Sequence, residues 1–271
     1  MAEAFEDFDD YSTGVLTGPW EDTWGSYNIQ EVVAVPSDNL AEQSAGLGAQ
    51  ALRLNSHASS SNRRATKYTD LSGSAEDEIF AVVGGSEAAS RTIPTLHLRG
   101  GGTTEATRNG YILFIRSGSN NFGIRRKLNG SNNTRVSGTF ADGWWSDAAL
   151  VVRFKATESG ASVILQAKVW RLGIDDEADA VTINNTDTTP PAHGWLGIGH
   201  INVGTETKGF FGSVGFGTDG DPAPTGPLDV SAEPFQLRHN PRTNKVIPVL
   251  SSPTVTDIGA ACVRPRVTKG Y

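Results

Sequence analysis

Residues 149–170 read ALVVRFKATESGASVILQAKVW, and they spell a β-hairpin. Residues 149–155 and 162–170 carry bulky side chains at alternating positions, on either side of a Ser159-Gly160 turn. A helix would repeat its apolar positions every 3.6 residues, whereas a strand repeats them every two. The same signature recurs upstream, where NGYILFIR (109–116) and NFGIRRKL (121–128) flank a Gly/Ser/Asn turn. Two long hairpins set the class of the fold as all-β.

Working outward, the period of two extends to both ends. IQEVVAV (29–35) is a strand stopped by Pro36, and AQALRLN (49–55) puts Leu52 and Leu54 on one face, towards a core. EIFAVVG (78–84) is an apolar strand. TIPTLHLR (92–99) sets Ile93, Thr95 and His97 against Leu96 and Leu98. WLGIGHINV (195–203) and FFGSVGF (210–216) are late, Gly-punctuated strands. Phe5, Phe8 and Tyr11 mark a first strand, and Trp20 closes one end of the core. Residues 57–69 are polar and read as a loop or an exposed strand; 38–45 hold a helical turn or two; 172–180 are an acidic loop. This predicts ten to twelve strands with a turn about every ten residues, the pattern of a two-sheet antiparallel jelly-roll sandwich. Such sandwiches reach the present 271 residues as one unit.

Charge divides the chain. The net balance is -7, which argues against a nucleic-acid binder. From Phe235 onward, however, six cations (Arg238, Arg242, Lys245, Arg264, Arg266, Lys269) face one acid, Asp257. Four prolines (Pro241, Pro248, Pro253, Pro265) separate short β-branched pieces there. Proline removes ladder donors and blocks helix, so this is an extended arm or a string of edge strands, which gains most by lying along another surface, its own sandwich or a neighbour subunit. The expected division is a sandwich over 1–226 and a basic assembly arm over 227–271, with Arg238, Arg242, Lys245, Arg264, Arg266 and Tyr271 as its contact residues. One cysteine, Cys262, rules out an internal disulfide; it reads as a buried free thiol, with an intermolecular bridge left open. The opening MAEAFEDFDD has no secretory pattern, and no apolar run reaches membrane-spanning length. Synthesis in the cytoplasm, with no membrane partner, is the expectation.

Several stretches resemble the concanavalin A-like, laminin G-like domain. FEDFDDYSTGVLTGPW is similar to its first strand and following turn, and GLGAQALRLN to its second strand. WWSDAALVVRFKATESGASVILQAKVWRLG is similar to its central hairpin. PAHGWLGIGHINVGTETKGFFGSVGFGTDGDPAP is similar to its closing pair, in which a Gly-rich strand returns beside the first. The last stretch also resembles versions of the domain carried by tailed-bacteriophage structural proteins. The resemblance covers residues 1–226. It implies a virion structural protein (a capsid decoration, tail or fibre component) that forms a homo-oligomer and meets other virion proteins through the arm.

The chemistry expected of the relatives can be checked residue by residue. Glycosidases on this sandwich need carboxylates at Glu-x-Asp-x-x-Glu spacing on one strand, and no such string occurs. No Gly-x-Ser-x-Gly elbow and no HxH or HxxxH pair is present, so the chain is expected not to be an enzyme. No cofactor is implied except calcium, for which Asp175, Asp176, Asp219 and Asp221 supply hard oxygen donors. The alternative function is a lectin-like carbohydrate-binding module, or a relative of glycoside hydrolases, that contacts a host surface glycan. Trp144 and Trp195 are its stacking candidates, and Asn132 and Asn133, at a loop tip, its hydroxyl-binding candidates. Trp145 and Trp170 are expected in the core. If Trp144 and Trp145 share a strand, they point to opposite faces.

Overall fold

The hairpin forms as the sequence requires. In the computed structural model, Leu150–Ser159 pairs with Ser162–Arg171 from Ser159↔Ser162 to Leu150↔Arg171. The two-residue turn begins at Gly160, whose φ of +63° is open to glycine at no steric cost. Val152, Phe154 and Ala156 face the core with Val163, Leu165, Ala167 and Val169, each buried. Burying one such side chain contributes roughly 1.5–3 kcal/mol, so one hairpin supplies a sizeable share of the driving force.

The structure describes residues 2–24, 29–35, 48–55, 63–85, 93–104, 106–116, 119–201, 208–225, 236–240 and 245–249. It divides into two units, Met1–Leu228 and Asp229–Tyr271. The strands of the first are β1 (Ala2–Glu6), β2 (Gly14–Val15), β3 (Trp20–Asp22), β4 (Ile29–Ala34), β5 (Gln50–Asn55), β6 (Arg63–Tyr68), β7 (Glu76–Gly85) and β8 (Ile93–Gly101). They continue with β9 (Asn109–Arg116), β10 (Asn121–Leu128), β11 (Ser131–Thr139), β12 (Leu150–Ser159), β13 (Ser162–Arg171), β14 (Val181–Asp187), β15 (Trp195–Ile201) and β16 (Lys208–Thr218). A single helical turn, α1 (Trp144–Asp147), precedes β12. The second unit is a hairpin of β17 (Gln236–Asn240) and β18 (Lys245–Val249), paired Gln236↔Val249 to Asn240↔Lys245. Arg242, Arg264, Arg266, Tyr271 and Cys262, and the side chains of Arg238 and Lys245, lie outside the described residues. So does the 38–45 segment. No helix among the described residues is long and apolar enough to cross a membrane.

Two antiparallel sheets face each other. The nine-stranded sheet runs β14-β13-β12-β7-β16-β5-β4-β2, with β1 also on β16; the seven-stranded sheet runs β11-β10-β9-β8-β15-β6-β3. This is the expected two-sheet antiparallel jelly-roll sandwich. Leu96 and Leu98 meet Ile79, Val152, Phe154 and Phe216 in the layer between the sheets. The Gly-rich β16 does return beside the first strand, from Ala2↔Thr218 to Glu6↔Val214.

Polar side chains close the open sides of the sandwich. On one side β14 approaches β11, and a Cβ on Gly138 would stand 2.8 Å from Ile183 Cγ2. There the fully buried Asp187 accepts hydrogen bonds from Tyr111 Oη (3.0 Å), Arg126 Nη1 (2.9 Å) and Arg135 Nη2 (3.1 Å). On the other side Glu6 of β1 accepts from Tyr68 Oη of β6 at 2.9 Å and from Tyr11 Oη at 2.7 Å.

Three expectations need correction. The first unit has more strands than the ten to twelve predicted. Two of the extra ones, β11 (SNNTRVSGT) and β14 (VTINNTD), are sheet edges. An edge strand pairs on one side only and tolerates polar residues, so it lacks the apolar alternation that marks a central strand. Asn132 and Asn133 therefore lie within a strand, not at a loop tip. Trp144 and Trp145 share one helical turn, so strand alternation does not govern them.

Candidate functional site

The outward face of the seven-stranded sheet collects most of the polar and aromatic chemistry. The pairing register lays out its rows. Gly197 stands opposite His97, His97 opposite Ile112, Ile112 opposite Arg125, and Arg125 opposite Thr134. One row over, Thr95 stands opposite Phe114 and Phe114 opposite Gly123. On the other side Gly110 stands opposite Lys127 and Lys127 opposite Asn132. Because alternate residues share a face, these rows all point away from the core.

Trp24 anchors one end of this face. It follows β3, is fully buried, and donates from Nε1 to the Gly102 carbonyl at 2.9 Å. Its ring meets Trp195 edge-on at 5.1 Å and His97 edge-on at 5.1 Å. Arg108 Cζ lies 5.4 Å and Lys127 Nζ 6.0 Å from the ring centroid. Trp195 is half-buried and lies directly on Gly100, where a Cβ would enter the indole ring. His97 is buried, with Nε2 2.8 Å from Thr95 Oγ1.

The other end is built on Phe114. Gly123 lets that ring lie across β10, since a Cβ there would stand 2.9 Å from Phe114 Cζ. Arg125 Cζ sits 4.3 Å and Arg116 Cζ 5.7 Å from the ring centroid. Beside them the exposed residues Asn132, Thr134 and Ser137 of β11 present an amide and two hydroxyls.

Of the four glycan candidates, Trp195 and Asn132 share this face, linked through Trp24 and Lys127. Asn133 stands opposite Arg126, whose guanidinium turns inward to Asp187, and so points the other way. Trp144 packs against the inter-sheet core, stacked on Phe140 at 5.8 Å, with Arg171 over it at 5.2 Å. Trp145 is buried between the sheets as expected. Trp170 is buried too, but in a second cluster with Phe80 and Phe210 on the outer side of the nine-stranded sheet.

The four acidic candidates do not converge. Asp175 follows β13 near the Leu150↔Arg171 pair, whereas Asp219 and Asp221 follow Thr218, which pairs with Asp77 at the opposite end of the sheet. Asp175 is engaged by Arg171 through Nε and Nη2, both at 2.8 Å, and these bonds hold its carboxyl below the usual range. Asp176 is exposed, and Asp219 occupies a left-handed turn with φ of +59°. Among the described residues no group of three or more His, Cys, Asp or Glu side chains is placed to hold a metal ion.

One further cluster gathers at the sandwich rim. Arg99 is buried, with Nη2 2.9 Å from Glu158 Oε1, and His193 Nε2 is 2.6 Å from the same oxygen. These two donors, His193 first, hold the Glu158 carboxyl below its ordinary value. Next to them Asp77 is fully enclosed, and burial pushes its carboxyl up to about 6 against hydrogen bonds from Ser74. Carboxyls driven apart in this way serve as acid and base in glycosidases. Here Asp77 has no exposed surface, so no sugar oxygen reaches it.

Sequence reasoning missed Trp24, Arg116, Arg125 and Lys127. For the three cations the available signal was charge. Residues 93–139 hold seven cations and one acid, Glu105, in a chain of net -7.

No family model and no curated protein matches the chain. Among solved structures it is similar to a carbohydrate-binding module from Bacillus subtilis at 14% identity and TM-score 0.44, over 71% of this chain and 91% of that one. It is also similar to a lectin from Bauhinia forficata in complex with GalNAc, at 11% identity and TM-score 0.48, over 79% and 97%. A third is the legume lectin-like domain from Entamoeba histolytica, at 11% identity and TM-score 0.43, over 74% and 91%.

Proposed function

We propose that the sandwich is a non-catalytic carbohydrate-binding module that takes a saccharide on the outward face of its seven-stranded sheet. The observation that carries the reading is the placement of Trp195 and Asn132 on one face, with the hydroxyls of Thr134 and Ser137 beside Asn132. A half-exposed indole offers a sugar ring an apolar platform, and neighbouring amides and hydroxyls exchange hydrogen bonds with its hydroxyls. The outward strand positions of β8 to β11 hold no Asp or Glu, so this face lacks the carboxylate pair that glycoside hydrolysis needs. A glycan array probed with the full chain tests the reading. Binding is expected to fall about tenfold or more in Trp195→Ala and Asn132→Ala and to persist in Trp144→Ala. An array with no saccharide bound overturns it.

A second reading keeps one observation in its favour. The balance of +5 from Phe235 onward is set against -12 in the rest of the chain, and charges of opposite sign favour contact between copies. On that reading the chain is a virion component, tethered to copies of itself and to other virion proteins by residues 227–271. Sedimentation of the full chain tests it. A multimer lost in the double variant Arg264→Glu, Arg266→Glu supports the tether, and a monomer at all concentrations removes it.

A further inference from the structure

Resting on the carbohydrate-binding reading, we infer that the ligand is a linear saccharide chain of about four residues or more, laid across the strands from Trp195 to Asn132, and not a terminal mono- or disaccharide. The inference begins with one row of the sheet. Trp195 stands opposite Gly100. A Cβ on Gly110 would stand 3.1 Å from Gly100 Cα, so Gly110 is next in line. Gly110 pairs with Lys127, and Lys127 with Asn132. The row thus crosses β15, β8, β9, β10 and β11 in their spatial order. Neighbouring strands lie about 4.8 Å apart, so these four steps span about 19 Å. The Trp195 indole lies over Gly100, one strand along. That leaves three steps, about 14 Å, from ring to amide. A pyranose unit of an extended chain advances by about one such step. A sugar stacked on the indole over β8 therefore reaches Asn132 only through further units over β9, β10 and β11. A shorter saccharide touches one end of the row and not the other.

The rim beside this row is polar and built in advance. The 102–108 turn joins β8 to β9, and Asn129-Gly130 joins β10 to β11, both at the end of the sheet where the row lies. Thr103, Thr104, Thr107 and Asn129 are exposed, so hydroxyls and an amide stand between the two ends of the path. Asn129 and Gly130 have φ of +46° and +76°, as a two-residue hairpin turn requires, and that turn fixes the register that places Asn132. Asn109 ties the two turns together. Its Nδ2 donates to the Thr107 carbonyl at 2.7 Å, and its Oδ1 accepts from the Asn129 N–H at 2.8 Å. The Gly130 N–H donates to the Arg108 carbonyl at 3.0 Å. Trp24 joins the first turn to the platform, with its Nε1 on the Gly102 carbonyl and its ring against Trp195. A surface locked in this way gives up little freedom when a ligand lands on it. A chain held at one end then meets the other end at a high effective concentration. The Asn132 amide carries two donors and an oxygen with two lone pairs, so a bond made within the protein leaves others for a sugar hydroxyl.

The test uses the full chain and saccharides graded by length. Oligosaccharides from the monomer to the hexamer are taken from cellulose, xylan and chitin, and from any longer glycan that the array retains. Binding is measured by calorimetry, with melting temperatures confirming that each variant is folded. In at least one series, affinity is expected to rise about tenfold or more from the disaccharide to the tetrasaccharide and to level off beyond about five residues. Trp195→Ala is expected to weaken every length that binds. Asn132→Ala is expected to weaken the tetrasaccharide and longer chains about tenfold and to leave the disaccharide unchanged. A disaccharide bound as tightly as the hexasaccharide overturns the inference and leaves the carbohydrate reading standing. So does an equal loss at all lengths in Asn132→Ala, or an array on which only glycans shorter than a tetrasaccharide bind. No saccharide binding at all overturns both.

Discussion

Arg99 Nη2 of β8 lies 2.9 Å from Glu158 Oε1 of β12, so one ion pair bridges the two sheets at the sandwich rim. The same guanidinium donates to the carbonyls of Pro191 (3.4 Å) and Ser74 (3.3 Å), which gathers two connecting segments to the pair. Its backbone is left-handed, with φ of +55°, at the irregularity between Leu98 and Gly101 in the β8–β9 register. The buried member carries the weight of this contact. Arg99→Met strands those carbonyls and is expected to cost about 3 kcal/mol in urea unfolding. Glu158→Gln, at the half-exposed end, is expected to cost far less. Equal losses from the two variants would show that the ion pair, not the buried fork, holds the rim.

Asp77, next to Arg99, makes stability depend on pH. Its folded-state value of about 6 lies above the ordinary 3.8 because burial disfavours the charged form. The folded state therefore binds the proton more tightly, and stability falls as pH rises from about 4 to about 6. The full shift corresponds to at most about 3 kcal/mol. Asp77→Asn removes this slope and keeps an acceptor for the Ser74 N–H, which donates to Oδ1 at 2.7 Å. The variant is expected to be more stable than the parent at pH 8 and to lose that advantage near pH 4. Urea midpoints measured across pH 4–8 check it.

His200 has the opposite sign. It is fully enclosed against Gly209, and burial lowers its value from 6.5 to about 3. The unfolded chain takes up a proton as pH falls below 6.5 while the folded chain does not, so stability is lost between about pH 6.5 and 3. Over pH 4–6 the slopes from Asp77 and His200 oppose each other. These two contributions should therefore partly offset each other there, so that the parent profile lies between those of the two variants. His200→Phe should tilt it so that stability falls as pH rises, and Asp77→Asn should tilt it so that stability rises. Two parallel profiles would contradict both assignments.

The central strands of this protein are written in period two, and the fold is legible because of it. The hairpins 109–128 and 149–170 and the facing of Leu52 and Leu54 follow from local pattern, whereas the return of β16 beside β1 is what the family resemblance implied. The edge strands β11 and β14 are not legible, since polar residues at an edge satisfy the same constraints in a loop. The site is legible only in part. Trp195 and Asn132 carry a residue-type signal, but Trp24 acquires its role from residues 97, 102, 108, 127 and 195, distant in sequence and joined only by the sheet register. His200 and Asp77 differ from ordinary strand residues solely by what encloses them. No spacing in the sequence announces that.

Gly100 links the fold to the proposed function and gives the sharpest mutational test. It stands opposite Trp195 in the β8–β15 pairing, and the indole lies on its Cα. The added methyl in Gly100→Ala would enter the ring, so either the backbone of β8 yields or Trp195 swings away. Overpacking of this kind typically costs 1–3 kcal/mol. Trp195 is the more movable partner because its side chain is only partly buried, whereas the backbone of β8 is held between two neighbouring strands. Its departure would also break the edge contact with Trp24, which shares a face with Lys127 and Asn132. Gly100→Ala is therefore expected to remain folded, with a melting temperature lowered by a few degrees, and to lose saccharide binding as fully as Trp195→Ala does. The double variant should bind no worse than either single one, because both remove the same platform. If Gly100→Ala binds like the parent while Trp195→Ala does not, the indole acts from a position other than the one it holds on Gly100.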